Sequence, residues 1–423
     1  MSTVVLVGTL DTKGAEIDFV RLRLEELGAD VLVVDAGVMD QTLWRADVSA
    51  DAVAAAGGAK RADLAAAADR SAAMAAMRAG VVSVVTDLHG RGRVDGILAI
   101  GGSGGASLAA AAMQALPVGV PKLIVSTMAA GDTRPYVGES DIAMLYPVVD
   151  IAGLNRLSRQ VLGNAAAAMA GMARAARGSD ARAMAGGDDG RPLIGATMFG
   201  VTTPCVTAAR ERLEALGYEV LVFHATGTGG RAMEGLIRSG FLVGVLDVTT
   251  TELADELVGG VLSAGPDRLT AAGALGIPQV VSLGALDMVN FGPRDTVPAE
   301  FRDRRLYEHN AAVTLMRTSV DECRELGRIL ARKLNAATGP TSLFIPRGGL
   351  SMIDVPGGAF HDPTADKALF DALLADLDPR IELVDLALDI NDPSFGPALA
   401  DRLDTLLRAS SSAASQPAAS VAR

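Results

Sequence analysis

The 423-residue chain is short of several things. It has two cysteines and one tryptophan, and aromatic residues make up 4% of it. Cys205 and Cys323 are too few for a disulfide framework, and no Cys-x-x-Cys pair offers a structural zinc site. Scarce aromatics imply cores of small aliphatic side chains, which suits buried parallel strands covered by helices. Positive charge is in deficit: 38 Lys+Arg face 50 Asp+Glu, a formal net charge of −12. A general nucleic-acid binder needs a positive field to neutralise phosphates, so that class is excluded, with local basic pockets still open.

Long apolar runs are missing too. Hydrophobic residues are 49% of the chain, yet no uninterrupted stretch of about 18 appears. The N-terminus has no basic segment leading into an apolar one. These absences predict a cytoplasmic protein with no membrane span. The usual catalytic signatures are lacking as well: no Gly-x-Ser-x-Gly, no His-Glu-x-x-His and no spaced His/Cys cluster, so no protein-held metal is expected.

What is present is strand–helix alternation. Val4 to Thr9 is a continuous apolar run; a helical pattern follows, with Ile17, Val20, Leu24 and Leu27 on one face; Gly28 stops it, and Val31 to Val34 is the next strand. Further strands are predicted over 96–100, 122–126, 193–198, 279–283, 341–345, 350–355 and 381–388, with helices over 106–116, 154–176, 364–377 and 396–408. The Gly- and Asp-rich stretch 178–191 reads as a linker, and 409–423, rich in Ser and Ala, as a disordered tail.

The pattern also repeats. Residues 21–34 and 210–223 are identical at nine of fourteen positions. Gly96-Ile97-Leu98 matches Gly244-Val245-Leu246, and Pro121-Lys122 matches Pro278-Gln279. The expected fold class is α/β: two similar doubly wound, Rossmann-like parallel-sheet domains from an internal duplication, covering 1–185 and 190–408.

In such sheets ligands bind at the carboxyl ends of strands, where loops enter helix N-termini. Gly101-Gly102-Ser103-Gly104-Gly105 is the strongest such segment. Its glycines let the backbone approach a phosphate, and free N–H groups at a helix start supply donors. It is neither a Walker A loop nor Gly-x-Gly-x-x-Gly, and a packing turn is the plainer reading. Asp11-Thr12-Lys13-Gly14 follows the first strand: Thr12 suits a helix cap, Lys13 can reach a phosphate, and Asp11 can hold a metal-bound water or a ribose hydroxyl. Thr127, Gly131, Asp132 and Thr133 form a further polar strand end.

The second half has its own set. Thr226, Gly227, Thr228, Gly229, Gly230 and Arg231 open a helix in a manner suited to a carboxylate or phosphate. Thr249, Thr250, Thr251 and Glu252 end the next strand, Asp287 and Asn290 follow another, and Arg347 begins an anion-binding tip. His224, Glu252 and Asp287 are the catalytic candidates, with Cys205 a weaker one. A structural role is the competing reading for each.

The motifs Gly8-Thr9-Leu10-Asp11-Thr12-Lys13-Gly14, the loop 101–105, Ser126 to Arg134, Thr202 to Thr207, His224 to Gly230, Thr249 to Glu256 and Ala285 to Gly292 together resemble an uncharacterised bacterial and fungal family related to the ATP-binding N-terminal region of the tomato mosaic virus resistance protein. The resemblance runs to about residue 408. It implies ATP binding, with or without Mg²⁺, at Asp11, Thr12, Lys13, the loop 101–105 and Thr127 to Thr133, and a homodimer. Mg²⁺ would be held mainly through phosphates and water, near Asp132 or Asp11. The expected function is an ATP-binding protein of unassigned activity. Two alternatives stand beside it: an enzyme of carbon metabolism acting on a small acidic or sugar-like substrate between the domains, and a nucleotide-regulated interaction protein.

Overall fold

The structure is a computed structural model that describes residues 1–39, 44–67, 69–178 and 190–414, with side chains through 411. The chain divides into two compact units, Met1–Ala181 and Arg182–Arg423.

In the first unit the order is β1 (Thr3–Gly8), α1 (Leu10–Glu26), β2 (Asp30–Asp35), α2 (Ala50–Ala56), α3 (Arg61–Ala67), α4 (Arg70–Gly90), β3 (Gly96–Ile100), α5 (Ser103–Gln114), β4 (Lys122–Val125), α6 (Arg134–Val137), β5 (Ile142–Leu145) and α7 (Arg156–Gly178). The sheet is parallel, in the order β2-β1-β3-β4-β5. All six residues of β1 are buried, because helices cover both faces of the sheet. Ile17, Val20 and Leu24 pack with Met169 and Ala173 on one face; Met77, Val81, Val85, Leu108 and Ala112 pack on the other.

α2 and α4 cross at two glycines. A Cβ on Gly80 would sit 1.9 Å from the Val53 carbonyl oxygen, and one on Gly57 would sit 2.1 Å from that of Ala76. The backbones meet directly there, which only glycine permits. By length and composition α4 is apolar enough to cross a membrane. Its Ala73, Met77, Gly80, Val81 and Val85 are buried in the unit.

The second unit repeats the plan: β6 (Leu193–Met198), α8 (Thr203–Ala215), β7 (Glu219–His224), α9 (Thr228–Arg238), β8 (Gly244–Thr249), α10 (Glu252–Val258), α11 (Ala271–Ala274) and β9 (Gln279–Gly284). It then adds β10 (Met288–Phe291), β11 (Leu306–Asn310), β12 (Val313–Arg317), α12 (Val320–Asn335), β13 (Thr341–Pro346), α13 (Pro363–Asp376), β14 (Glu382–Leu386) and α14 (Phe395–Ala414). The parallel sheet runs β14-β13-β9-β8-β6-β7, and β10-β12-β11 is a separate antiparallel sheet.

Strand register superposes the residues that the sequence repeat aligns. Thr3 pairs with Asp30 and Val4 with Gly96; Leu193 pairs with Glu219 and Ile194 with Gly244, the same stagger. Ile97 meets Lys122 as Val245 meets Gln279. The two units are therefore the same doubly wound α/β architecture, the second with an antiparallel sheet and one further strand in its parallel sheet.

Several sequence expectations need correction. Residues 350–355 form turns, not a strand, since Asp354 ties back to the Leu350 N–H at 3.1 Å. Asn290 follows β9 as expected, but it lies within a further strand, β10, that the sequence does not announce. Helix α1 begins at Leu10, so Asp11, Thr12 and Lys13 form its first turns; Thr12 is not its cap, and Thr9 takes that position. Helix α5 begins at Ser103 rather than Ala106. The last helix continues through 409–414, while 415–423 of the expected tail and 179–189 of the expected linker lie outside the described residues.

Candidate functional site

The carboxyl ends of β1, β2 and β3 open into a cleft of about 630 Å³, roofed by α3 and α4. Its polar wall holds Thr9, Asp11, Thr12 and the loop 101–105; Leu64, Met74, Met77 and Leu108 form its apolar side. The structure thus brings Asp11, Thr12, Lys13 and Gly101 to Gly105 into one place. Thr127, Gly131, Asp132 and Thr133 are not in that wall. Thr127 begins a short 3₁₀ turn, and Asp132 is paired with Arg134 at 2.7 Å. Hydrogen bonds from Arg134 pull the Asp132 carboxyl down to about 2.

Each cleft residue has a local cause. Gly102 precedes α5 and has no side chain, so it gives the first-turn N–H groups no cap hydrogen bond. Asp11 Oδ2 accepts from the Val38 N–H at 2.9 Å and the Met39 N–H at 3.0 Å, which shapes the loop after β2. Gly37 makes room for it: a Cβ there would stand 2.8 Å from the Asp11 carboxyl carbon. Asp11 Oδ1 is buried with no partner among the described residues. Asp35, at the end of β2, accepts from the Leu10 N–H at 3.0 Å and the Gly37 N–H at 2.9 Å, and burial pushes its carboxyl above the usual range. Lys13 Nζ donates to the Ile151 carbonyl, so the expected phosphate ligand is held by the protein itself.

Sequence reasoning missed the cleft's other cation. Arg70, the first residue of α4, lines the cleft, and its Nη2 lies 3.7 Å from where a Cβ on Gly104 would be. No local signal marks it, because the contact joins residues 34 apart through the roof helix.

In the second unit the predicted residues are largely engaged with one another. Glu252 is fully buried, and its Oε1 accepts from the Gly227 N–H at 2.7 Å and the Gly230 N–H at 3.1 Å. The anion expected at that Gly-rich tip is thus a side chain of the chain itself. Glu252 Oε2 accepts from Arg268 Nε at 2.6 Å, and Arg268 also grips Asp247 at 2.5 and 2.6 Å and lies 3.6 Å from Glu234. Thr249, Thr250 and Thr251 are buried beside this cluster, with Thr249 bonded to Thr202 and Thr197. Arg231 donates to the Ser263 carbonyl at 3.0 Å. His224, exposed at the end of β7, packs edge-on against Phe199 at 5.4 Å; Thr226 bonds back to its carbonyl, and Thr228 is exposed. Gly229 is required where it lies, since a Cβ would be 1.9 Å from the His224 oxygen.

Asp287 belongs to another buried group. Ser351 Oγ donates to it at 2.8 Å, while Arg317 pairs with Asp366 at 2.5 Å and lies 3.5 Å from Asp354. Burial raises all three carboxyls, against the pull of Arg317. Asn290 donates through Nδ2 to Asp255 at 2.6 Å, and burial pushes that carboxyl up to about 7. Arg347 is held by Asp385 in a two-pronged pair at 2.7 and 2.8 Å and stacks 4.6 Å over Phe370. Cys205 is buried, which pushes its thiol up to about 12 and disfavours the nucleophilic thiolate. Among the described residues no group of three or more His, Cys, Asp or Glu side chains is placed to hold a metal ion.

Comparison with known proteins places the chain. Residues 2–178 match the N-terminal domain of the uncharacterised protein family UPF0261, and residues 191–407 match its C-terminal domain. A UPF0261 protein of Clostridium tetani is 51% identical over 405 residues, 96% of this chain and 98% of that protein. One of Rhizobium meliloti is 48% identical over 400 residues, 94% of this chain and 97% of that protein. The tomato ToMV resistance protein Tm-1(GCR237) is 46% identical over 334 residues, which is 78% of this chain but 44% of the tomato protein. With both domains matched nearly end to end, the chain belongs to the UPF0261 family.

Proposed function

We propose that the first unit binds a nucleotide, ATP in the first instance, with its phosphates at the start of α5 and its base and sugar toward the apolar side of the cleft. The observation that carries this reading is the cleft itself. An uncapped Gly-rich helix start faces a wall of Leu64, Met74 and Met77 across about 630 Å³, a volume in the range of small-molecule sites. Such a site suits a ligand that is anionic at one end and flat and apolar at the other. The unpartnered Asp11 Oδ1 suits a hydroxyl donor such as a ribose. Mg²⁺ would enter with the phosphates, held through them and through water. The resemblance to an ATP-binding region points the same way.

The alternative of a small acidic substrate at Thr226 to Arg231 has less support, because Glu252 already occupies the Gly227 and Gly230 donors.

The test is thermal unfolding of the full chain against a nucleotide panel. A ligand of the native state raises the melting temperature by mass action. ATP or ADP should do so, and Ser103→Trp, at an exposed position, should abolish the shift while leaving the unliganded melt intact. No shift with any nucleotide at millimolar concentration overturns the reading.

A further inference from the structure

The two units share one plan, so what fills a place in one is informative about the other. In the second unit Glu252 opens the helix after the third strand, and its carboxylate reaches the N–H groups of the loop after the second strand. A guanidinium, that of Arg268, closes on it from the other side. In the first unit the helix after the third strand opens with Ser103-Gly104-Gly105 and carries no acid. The gap between this helix start and the loop 36–39 is the open cleft. Here too a guanidinium faces the gap: Arg70 Nη2 is 3.7 Å from the Gly104 Cβ position. The Arg70 side chain makes no hydrogen bond or ion pair among the described residues, whereas that of Lys13 donates to Ile151.

Resting on the nucleotide reading above, we infer that Arg70, and not Lys13, is the cation that holds the ligand's phosphates. It would stand opposite the α5 amides, with the incoming anion between guanidinium and amides as Glu252 lies between Arg268 and the Gly227 and Gly230 amides; the loop amides of Val38 and Met39 are already taken by Asp11. A guanidinium offers a planar fork that matches phosphate oxygens, and its charge supplies what the uncapped amides alone lack. Arg70 comes from the roof helix, so it also ties α4 to the ligand. Its counterpart Arg268 lies in a different connection, so the resemblance is one of placement and not of shared sequence.

The experiment titrates ATP, inorganic tripolyphosphate and adenosine into the full chain and into Arg70→Ala, Arg70→Lys and Lys13→Met, with an unliganded melt of each. Arg70→Ala should melt like the parent, lose affinity for ATP and tripolyphosphate by about tenfold or more, and keep its affinity for adenosine. Arg70→Lys should recover part of the loss, and Lys13→Met should lose less than Arg70→Ala. Undiminished ATP affinity in Arg70→Ala, an equal loss for adenosine, or a larger loss in Lys13→Met overturns the role of Arg70 while leaving nucleotide binding in place. Failure of the parent protein to bind either ATP or tripolyphosphate instead overturns the nucleotide reading, and the role of Arg70 with it.

Discussion

Arg268 Nε donates to Glu252 Oε2 at 2.6 Å, and neither side chain is exposed to solvent. With Asp247 on its other nitrogens and the Thr249 carbonyl 3.3 Å from Nη2, the guanidinium is gripped on all three nitrogens. Breaking such a cluster from one side leaves buried charge without compensation. Arg268→Met is therefore expected to lower the unfolding free energy by about 3–5 kcal/mol in urea titrations. Neutralising the acids as well, with Asp247→Asn and Glu252→Gln, should recover part of the loss. A deficit below about 1 kcal/mol would mean that the cluster does not anchor the second unit.

The crossing of α2 and α4 makes a second prediction. Alanine is the better helix former by about 1 kcal/mol. Gly80→Ala should nevertheless destabilise, by about 1–3 kcal/mol, because its Cβ would meet the Val53 carbonyl at 1.9 Å. Since α4 carries Arg70, Met74 and Met77 into the cleft wall, ligand affinity should fall together with the melting temperature. A variant that melts higher than the parent would contradict the observed packing.

Asp255 gives a pH signature. Burial raises its folded carboxyl from 3.8 to about 7, against hydrogen bonds from Asn290 and Leu262. The folded state thus keeps a proton that the unfolded chain has lost. Its contribution is fully present below about pH 4 and is lost as pH rises through about 7. Asp255→Asn, which mimics the protonated form, should flatten the stability profile across that window. Chemical denaturation of parent and variant at several pH values checks this; parallel profiles would remove Asp255 as the source.

The two thiols should be silent in the native protein. Burial pushes Cys205 up to about 12 and Cys323 up to about 11, and both side chains are inaccessible. A thiol reagent at neutral pH should label neither until the chain unfolds, at which point both react. Rapid labelling of folded protein would show that one of these regions opens readily.

Much of the first unit was legible in its sequence. Apolar runs at 4–9 and 31–34 and a Gly stop at 28 are local signals that became the expected elements, while the Gly-rich segment 101–105 marked a strand end whose last three residues already belong to α5. The antiparallel strands were not legible. β11 is LYEHN, largely exposed, and has no apolar run to announce it; it exists because β12 pairs with it. The stretch 350–355 misled in the opposite sense. Its apolar residues suggest a strand, but Ser351 and Asp354 bend it through side-chain bonds to Asp287 and Leu350.

The candidate residues divide along the same line. Local pattern marks strand ends and helix starts, since a Gly-rich or Thr-rich segment after an apolar run has few other uses. Whether such an end faces a cleft or an internal partner depends on residues far away in the chain. Loop 101–105 lines a cleft because none of the described residues of its unit fills it. Glu252 closes the equivalent place because Arg268, sixteen residues on, folds back to neutralise it. Lys13 looked free until Ile151, 138 residues away, was brought beside it, and Arg70 had no signal until α4 carried it over Gly104. Backbone periodicity and glycine placement are short-range, and they suffice for the two-unit α/β plan. Which charges are paired within the chain and which face open space is long-range, and only the folded chain decides it.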